Sequence, residues 1–420
     1  MAENKEILQY NKDEQNPPEY VNQDLILKVL QNVEEDEHIE IIEFKIVPGT
    51  KPGEHFASIM FKAVVSYISR GKQVLGRSFV IKTMPVEEGM KKEMLTKMPI
   101  FEREIDMYTK VIPEMSKVMT SIGDSEVIAP SLLYHSLEPP ILIFEDITQR
   151  GYKMHQDLLD FDKTVRVVKK LAKFHALSYY INDNKYAHRL DLTMYDSILV
   201  NKNSINNMKV FEEALEILHE EVKLWVGYKD IASKILALKD TYLNTLLDVF
   251  VPNKSAYNVL NHGDLNLKNM MFSFSENDEN IDQILFYDFQ MSLWASPAID
   301  LIYLLYEIGN AETRQRQGEL IFIYHRAFEE YLTRLGCLKN APTVLTLNIE
   351  MLKHAHLEIL LGLCWMPFFV VKFTELVQKT EIEPSQEFFI EIYKLIYQQP
   401  DVIRVLKELI PNLVNKGVIN

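Results

Sequence analysis

Cysteine and positive charge are both scarce in this 420-residue sequence. Cys337 and Cys364 are too few for a disulfide framework and favour a reducing compartment, and one bridge is the most they allow. The 45 Lys and Arg residues are outnumbered by 60 Asp and Glu residues, which gives a net charge of −15. This balance excludes binding of nucleic acid or anionic lipid by bulk electrostatics, although local groups can still bind a nucleotide.

The sequence also lacks a long apolar run. The longest, Ile359 to Val371, is interrupted by Gly362 and Pro367 and falls short of the roughly 20 residues that span a bilayer. It predicts a buried helix and no membrane span. The first residues, MAENKE, contain no apolar core of a signal peptide, so we expect a cytoplasmic protein. No obligate protein partner is evident from the sequence.

The order of secondary structure predicts an α+β fold of two lobes. Strands are predicted at 39–47, 56–67, 73–81, 131–134 and 141–144, the first three as an antiparallel meander. Helices are predicted at 20–33, 86–112 with a break at Pro99, 161–181, 204–225, 229–251, 298–308, 311–335, 344–377 and 386–398. We therefore expect a nucleotide-binding lobe with a polar leader over residues 1–145 and a helical lobe with the catalytic loop and acceptor site over 146–420.

Residues 262–269 read HGDLNLKN, between a short apolar strand and a second one. Phosphoryl transfer needs a carboxylate to orient the attacking hydroxyl, ligands for magnesium, and positive charge near the phosphates. Asp264 is the candidate catalytic base and Asn269 a candidate metal ligand. Asp288 ends a strand predicted at 284–287, which should pair with 270–274, and is the second candidate metal ligand.

Lys82 ends a predicted strand and matches the lysine that pairs with nucleotide phosphates. Alternation along the strand puts Val80 on the same face, where it can cover the adenine, and points Phe79 and Ile81 into the core of the lobe. Glu104, on a predicted helix, is the preferred carboxylate to orient Lys82. Glu102 and Asp106 remain alternatives at this stage.

Weaker signals surround these residues. Gly53 and Ser58 lie in a turn between the first two strands, where backbone amides would contact phosphate oxygens, although the turn lacks the Gly-x-Gly-x-x-Gly form. Glu145 and Ile147 follow the last strand, at a crossing where backbone groups can bind an adenine edge. Elsewhere, the apolar helix face around His175 predicts a core histidine, and Asp300 is expected to brace the catalytic loop.

These blocks in combination resemble the ecdysteroid kinase-like family, a group of the choline and aminoglycoside kinase branch of the protein-kinase-like superfamily. The resemblance extends over about residues 20–410 and rests on the lysine strand, the segments 101–108, 142–146 and 171–178, the 262–269 motif, and residues 288–301. It implies a bilobal protein-kinase-like fold with a small antiparallel sheet and a large helical lobe.

The same resemblance implies transfer of the γ-phosphate of ATP, with Mg²⁺, to the hydroxyl of a small lipophilic alcohol such as an ecdysteroid. It assigns Asp264 as base, Asn269 and Asp288 as magnesium ligands, and Lys82 with Glu104 as the phosphate-orienting pair. The family commonly has Trp and Asn where this sequence has Asn266 and Lys268. Lys268 adds a cation inside the loop, and we expect it to contact the γ-phosphate.

Two alternatives remain open from the sequence. A choline- or aminoglycoside-type cationic acceptor would use aromatic and acidic side chains of the helical lobe. The candidates are the aromatic residues Trp225, Tyr228, Trp365, Phe368 and Phe369, for which core packing is the more common explanation, with Glu358 and Asp300 as the acids. A catalytically silent kinase fold that binds steroids is the other alternative, and a degraded motif, which would favour it, is not found.

Overall fold

The computed structural model describes residues 12–49, 58–70, 73–88, 90–183, 185–252, 258–275, 280–337, 341–371 and 386–420. Contacts between Cα atoms divide the chain into two compact units. The first contains the described residues up to Lys117 together with Ser125–Lys153 and Leu285–Gln290. The second contains Val118–Asp124, Met154–Ile284 and Met291–Asn420. The sequence-based boundary at residue 145 stays a prediction.

The first unit is built on a five-stranded antiparallel sheet. Its strands are β1 (Glu40–Pro48), β2 (Ile59–Ile68), β3 (Val74–Thr83), β4 (Leu132–Leu137) and β5 (Pro140–Glu145). The spatial order is β1-β2-β3-β5-β4, so the first three strands form the predicted meander and β5 inserts beside β3. The strand that ends in Lys82 therefore lies at the centre of the sheet, with neighbours on both sides.

Helix α1 (Gln23–Glu34) covers one face of this sheet. The side chain of Asn22 caps the helix by accepting a hydrogen bond from the amide of Leu25, at 3.1 Å. Its buried residues Ile26, Val29 and Leu30 join the inward-facing side chains of the central strands in one apolar core. Burial along β2 alternates with a period of two, as expected when one sheet face packs on a helix.

Four short helical segments follow β3 in the chain. They are α2 (Met90–Thr96), α3 (Ile100–Asp106), a π-helical turn at Met107–Val111 and α4 (Ile112–Ser121). The break predicted at Pro99 is confirmed, because α3 begins immediately after it. Helix α3 buries Ile100, Phe101, Glu104 and Ile105.

The second unit is mainly helical. Its helices are α5 (Phe161–Ile181), α6 (Lys209–Val222), α7 (Lys229–Leu238), α8 (Tyr242–Val249), α9 (Ala298–Glu307), α10 (Ala311–Gln315), α11 (Gln317–Arg334), α12 (Val344–Lys353), a π-helical segment at Ile359–Trp365, α13 (Met366–Val370), α14 (Gln386–Tyr397) and α15 (Pro400–Asn415). An antiparallel sheet in the first unit with a helical second unit confirms the predicted fold class.

Two small sheets interrupt these helices. Strand β6 (Val259–Asn261) pairs antiparallel with β9 (Leu293–Ala295), and β7 (Met270–Phe274) pairs with β8 (Ile281–Phe286). The pairing of β7 with β8 confirms the sequence-based expectation. Both ends of the 262–269 loop are thereby attached to strands.

Several helix boundaries differ from the sequence-based predictions. The continuous helix expected at 229–251 is two helices, and the long helix expected at 344–377 is divided into α12, a π-helical segment and α13. Residues 372–377 of that prediction lie outside the described residues. Pro367 explains the second division, because proline is accepted near the start of a helix and disrupts its interior. Helix α15 was not predicted.

Among the described residues, none of the helices combines the length and the apolar character needed to span a membrane. Cys337 and Cys364 are both free, so the single bridge that the sequence allowed is not formed.

Candidate active site

The lysine of β3 faces away from the apolar core of the first unit. Phe79 and Ile81 point into that core and are completely buried, as predicted from the alternation of the strand. Lys82 lies on the opposite face, paired in register with Met60 of β2 and Leu142 of β5. It is also buried, with 2% of its surface exposed, and therefore requires partners for its charge.

Glu104 and Asp288 supply those partners. The Lys82 ammonium forms an ion pair with Oε2 of Glu104 and a second one with Oδ1 of Asp288, at 2.8 Å. Glu102 is exposed, and Asp106 pairs with Lys110 of the following turn at 2.6 Å. Of the three carboxylates left open by the sequence, Glu104 is thus the one that contacts Lys82.

Lys82, Glu104 and Asp288 form a buried cluster that carries one positive charge and up to two negative charges. Burial opposes the charge of Lys82, but Asp288 and Glu104 outweigh it and raise the pKa of the lysine. For Glu104, burial and the charge of Asp288 raise the pKa to about 7, against the opposing effect of Lys82. The cluster favours additional positive charge, because its two carboxylates share a single cation.

The backbone at Asp288 adopts a left-handed conformation, with φ at 63°. Among non-glycine residues, Asp and Asn tolerate this region best. The next residue, Phe289, packs edge-on against the ring of Tyr108, whose ring also contacts Phe144 of β5, with centroid separations of 5.6 and 4.9 Å. These rings attach the Asp288 turn to the sheet and to the π-helical turn.

Asp146, for which the sequence suggested no role, organises the segment after β5. Its Oδ2 accepts hydrogen bonds from Ser78 at 2.5 Å and Lys62 at 2.6 Å, and its Oδ1 accepts from the amide and hydroxyl of Thr148. Burial alone would raise the pKa of Asp146, but these hydrogen bonds outweigh it and lower that pKa. Asp146 therefore fixes the start of the short 3-10 helix Ile147–Arg150.

The other predicted nucleotide-binding residues occupy several places in the first unit. Val80 is half-buried beside Phe144, in the register of β3 with β5, and Ser58 is buried just before β2. The Glu145 side chain accepts hydrogen bonds from Ser131, and Ile147 opens the 3-10 helix. Gly53 lies outside the described residues. The roles of these residues in nucleotide binding stay predictions.

In the second unit, the 262–269 loop brings Asp264 and Asn269 together. The side-chain nitrogen Nδ2 of Asn269 donates a hydrogen bond to Oδ2 of Asp264 at 3.0 Å and another to the backbone carbonyl oxygen of Asp264 at 2.8 Å. Asn266 donates to Oδ1 of Asp264 at 3.0 Å, so the two carboxylate oxygens are oriented by different amides. Asn266 also caps the following turn by accepting from the amide of Lys268.

Gly263 brings the loop close to a neighbouring chain segment. Its φ is 83°, and a Cβ atom built there would lie 2.1 Å from the carbonyl oxygen of Met291 and 2.8 Å from Leu293. Only glycine meets both the left-handed backbone and this close approach. The residue immediately before Asp264 is therefore fixed by steric constraints.

Asp300, the first acidic residue of α9, braces the loop as predicted. Its carboxylate is completely buried and accepts hydrogen bonds from the amides of His262 at 2.6 Å and Gly263 at 3.0 Å. It also lies 3.1 Å from Nε2 of His175, and Nδ1 of His175 lies 2.8 Å from the Tyr324 hydroxyl. Burial lowers the pKa of His175 despite the opposing effect of Asp300, so the ring is neutral near pH 7 and donates to Asp300.

A carboxylate that the sequence analysis missed lies on the same helix. Burial raises the pKa of Glu307 to about 8, the charge of Asp264 adds to the effect, and Lys268 opposes it. Lys268 is exposed, and its ammonium lies 5.7 Å from the ring centre of Phe369. The only sequence signal for Glu307 was an acid at the end of a helix that is otherwise almost entirely apolar.

The candidate metal ligands have suitable chemistry for magnesium. Oδ1 of Asp288 binds Lys82, and within the described part of the chain no hydrogen bond uses its Oδ2 or the carboxamide oxygen of Asn269. Both are hard oxygen donors. Among the described residues, no group of three or more His, Cys, Asp and Glu side chains could hold a metal ion. Proteins usually bind Mg²⁺ through one or two carboxylates together with substrate phosphates.

Solved structures similar to this chain include several small-molecule phosphotransferases. An ADP-bound aminoglycoside phosphotransferase shares 13% identity, covering 88% of this chain and 96% of its own, with a TM-score of 0.39. A macrolide 2'-phosphotransferase of Brachybacterium faecium shares 12% identity, covering 90% and 99%, with a TM-score of 0.37. A glucosamine kinase shares 13% identity, covering 90% and 84%, with a TM-score of 0.36. At these scores the similarities carry no argument about function.

No curated protein matches the sequence. The sequence model of the ecdysteroid kinase-like family matches residues 52–337, more than half of the chain. That span includes Lys82, Glu104, Asp264, Asn269 and Asp288. The chain belongs to the ecdysteroid kinase-like family, a kinase-like phosphotransferase family.

Proposed function

We propose that this protein transfers the γ-phosphoryl group of ATP to the hydroxyl of a small lipophilic alcohol, with an ecdysteroid or related steroid as the leading acceptor class. One observation carries the proposal: the buried Lys82 ammonium is shared by Glu104 and Asp288. A lysine oriented by a helix-borne carboxylate, beside an acid that follows a strand, is the arrangement that positions nucleotide phosphates in kinases. Family membership supports phosphotransfer; the acceptor class is the part that we propose.

The nucleotide side of the reaction is assigned to the first unit. Lys82 would bind the α- and β-phosphates, with Glu104 orienting its side chain. Val80 would cover the adenine, backbone groups near Glu145 and Ile147 would bind its edge, and amides near Ser58 and Gly53 would contact phosphate oxygens. Asp146 supports this assignment, because it fixes the backbone that follows Glu145.

The acceptor side of the reaction is assigned to the second unit. Asp264 would orient the acceptor hydroxyl and accept its proton while the new O–P bond forms and the bond to the ADP oxygen breaks. Asn266 and Asn269 hold the carboxylate in place by donating to its two oxygens. Lys268 would contribute positive charge near the transferred group.

Asp288 and Asn269 would hold Mg²⁺. When bound, the ion neutralises charge on the phosphates and on the transferred group. The unshared carboxylate oxygen of Asp288 and the carboxamide oxygen of Asn269 are available for this role.

ADP release measured with ATP, Mg²⁺ and a panel of ecdysteroids and other hydroxylated lipophiles tests the proposal. We expect turnover and a product that has gained one phosphoryl group by mass spectrometry. Asp264→Asn should lower the rate by about 10²- to 10⁴-fold and leave ATP binding nearly intact, because the base orients the acceptor. Asp282→Asn, an exposed acid on β8, is the matched control and should retain full rate.

Other outcomes separate the alternatives. Tight steroid binding without ADP release would indicate a catalytically silent binding protein. Turnover restricted to choline or aminoglycosides would support phosphotransfer and would show that the acceptor is a cation rather than a lipophilic alcohol. A loss of ATP affinity as large as the loss of rate in Asp264→Asn would contradict the role of Asp264 as base.

A further inference from the structure

Glu307, the last residue of α9, carries an unsatisfied polar atom in the part of the chain that the structure describes. Its Oε1 atom is buried and has no hydrogen-bond partner among the residues that the structure describes. Buried polar atoms in folded proteins are nearly always paired, and an exception indicates a ligand, a water molecule or a functional role. Glu307 has no part in the proposed mechanism so far, so its buried oxygen needs another explanation.

The charged neighbours of Glu307 belong to the catalytic loop. Asp264 raises its pKa and Lys268 lowers it, while burial is the largest cause of the shift to about 8. Asp264 also acts on Tyr303, one turn earlier in α9, where burial, Asp264, Glu307 and Asp300 all raise the pKa. Glu307 therefore lies within electrostatic reach of the proposed base.

Aromatic side chains are in contact with Tyr303 and with Lys268 in this part of the second unit. The ring of Tyr303 packs edge-on against Trp365, with centroids 6.5 Å apart. Phe369 has 59% of its surface exposed and lies beneath the Lys268 ammonium. Aromatic faces with one unsatisfied polar atom are typical of a site for a mainly apolar ligand that carries a few polar groups.

We propose that Glu307 binds a second hydroxyl group of the acceptor, so that the preferred acceptor is an uncharged molecule with at least two hydroxyls on an apolar frame. This inference rests on the proposed function, because it takes Asp264 as the group that binds the reacting hydroxyl. A hydroxyl both donates and accepts, so it pairs with the carboxyl of Glu307 in either protonation state. An ammonium group would meet the positive charge of Lys268 and, near neutral pH, a largely uncharged Glu307.

Two substitutions separate hydrogen bonding from shape. Glu307→Gln keeps a carbonyl oxygen and a donor, whereas Glu307→Leu keeps only the volume. Glu312→Leu, an exposed acid on the neighbouring helix α10, is the matched surface control. The ligands are ecdysone, which has several hydroxyls, dehydroepiandrosterone, which has one, and choline as the cation. Binding is measured by calorimetry, and KM and kcat by ADP release.

We expect Glu307→Leu to weaken ecdysone binding and raise its KM by about 10- to 100-fold, as the loss of a buried hydrogen bond implies. Glu307→Gln should stay within about threefold of wild type, because it keeps that bond. Dehydroepiandrosterone binding and the KM for ATP should not change in either variant. If Glu307 served only in folding, its substitution would change the binding of both steroids to the same extent.

Several results would overturn the inference. One is an equal loss of binding for both steroids in Glu307→Leu, and another is unchanged ecdysone binding in that variant. The others are no binding of any hydroxylated ligand, and choline binding that is tighter than ecdysone binding and is lost in Glu307→Gln. Ecdysone binding that depends on Glu307 without ADP release would reject phosphotransfer and keep the hydroxyl site. Ecdysone turnover that does not change on substitution of Glu307 would keep phosphotransfer and reject the hydroxyl site at Glu307.

Discussion

The ammonium of Lys82 lies 2.8 Å from Oδ1 of Asp288 and is also paired with Glu104. Two carboxylates therefore share one cation in a buried cluster, so the state of each group depends on the other two. A phosphate group or a divalent cation entering this cluster would redistribute these pairings. Substitution of the residues in this cluster therefore tests its role directly.

Glu104→Gln tests that sharing. We expect the KM for ATP to rise by about tenfold, because a neutral amide orients Lys82 less firmly than a carboxylate does. Glu102→Gln changes an exposed residue of the same helix and should leave the KM unchanged. Steady-state kinetics at varied ATP concentration measure both. If the two variants had equal kinetics, Glu104 would have no role in ATP binding.

Gly263→Ala should destabilise the protein by about 3 kcal/mol or more, because the left-handed backbone and the clash with Met291 both contribute. Gly336 has a similar φ of 69°, and no heavy atom of the described residues lies within 4 Å of a Cβ built there. Gly336→Ala should therefore cost only about 1–2 kcal/mol. Urea unfolding gives both free energies. Similar losses would mean that the close approach to Met291 has no energetic effect.

Asp300→Ala should lower the free energy of unfolding by about 3–5 kcal/mol, since it leaves the amides of His262 and Gly263 and the ring of His175 without their buried acceptor. Asp401→Ala removes an exposed carboxylate that pairs with Arg404 at 3.0 Å, and should change stability by less than about 1 kcal/mol. Denaturant unfolding of both variants provides the comparison. A small loss for Asp300→Ala would show that the loop is held by other contacts.

Glu307 should make stability depend on pH. Its pKa is raised from 4.5 to about 8 in the folded protein, so between these values the unfolded chain binds fewer protons than the folded one. Stability is then highest below the lower pKa and falls as pH rises to about 8, by at most about 1.4 kcal/mol per pH unit. Glu307→Gln should lack this decline and gain relative stability in alkaline solution.

The control for this pH dependence is Glu319→Gln. A hydrogen bond from Arg316 lowers the pKa of Glu319, so its removal should not flatten the decline between 4.5 and about 8. Urea unfolding across that range measures all three proteins. A wild-type curve parallel to that of Glu307→Gln would show that Glu307 titrates normally in the folded protein.

The strongest sequence predictions were those carried by a local pattern. Helix α5 was predicted with its observed bounds, because Phe161–Ile181 has helical apolar spacing; in the structure Asp160 caps its start. The alternation of β3 correctly placed Phe79 and Ile81 in the core and Lys82 on the other face. The preference for Glu104 over its neighbours followed from its position at the edge of a buried stripe.

Features that depend on contacts between distant residues were beyond the sequence. Nothing local distinguishes Glu307 from an exposed acid at a helix end, because its burial depends on how the second unit packs. Helix α15 was not predicted, although Pro400 marks its start, and Pro411 lies inside it. The contact of Asp146 with Lys62 and Ser78 likewise joins three segments of the chain.

The left-handed backbone at Asp288 decides which substitutions can be interpreted at that position. Asparagine tolerates a φ of 63°, whereas a β-branched residue of similar size would strain the turn and displace Phe289. An inactive reference protein for crystallography with trapped substrates is therefore better made as Asp288→Asn than as Asp288→Val. The first removes a charge, and the second confounds that removal with a backbone rearrangement.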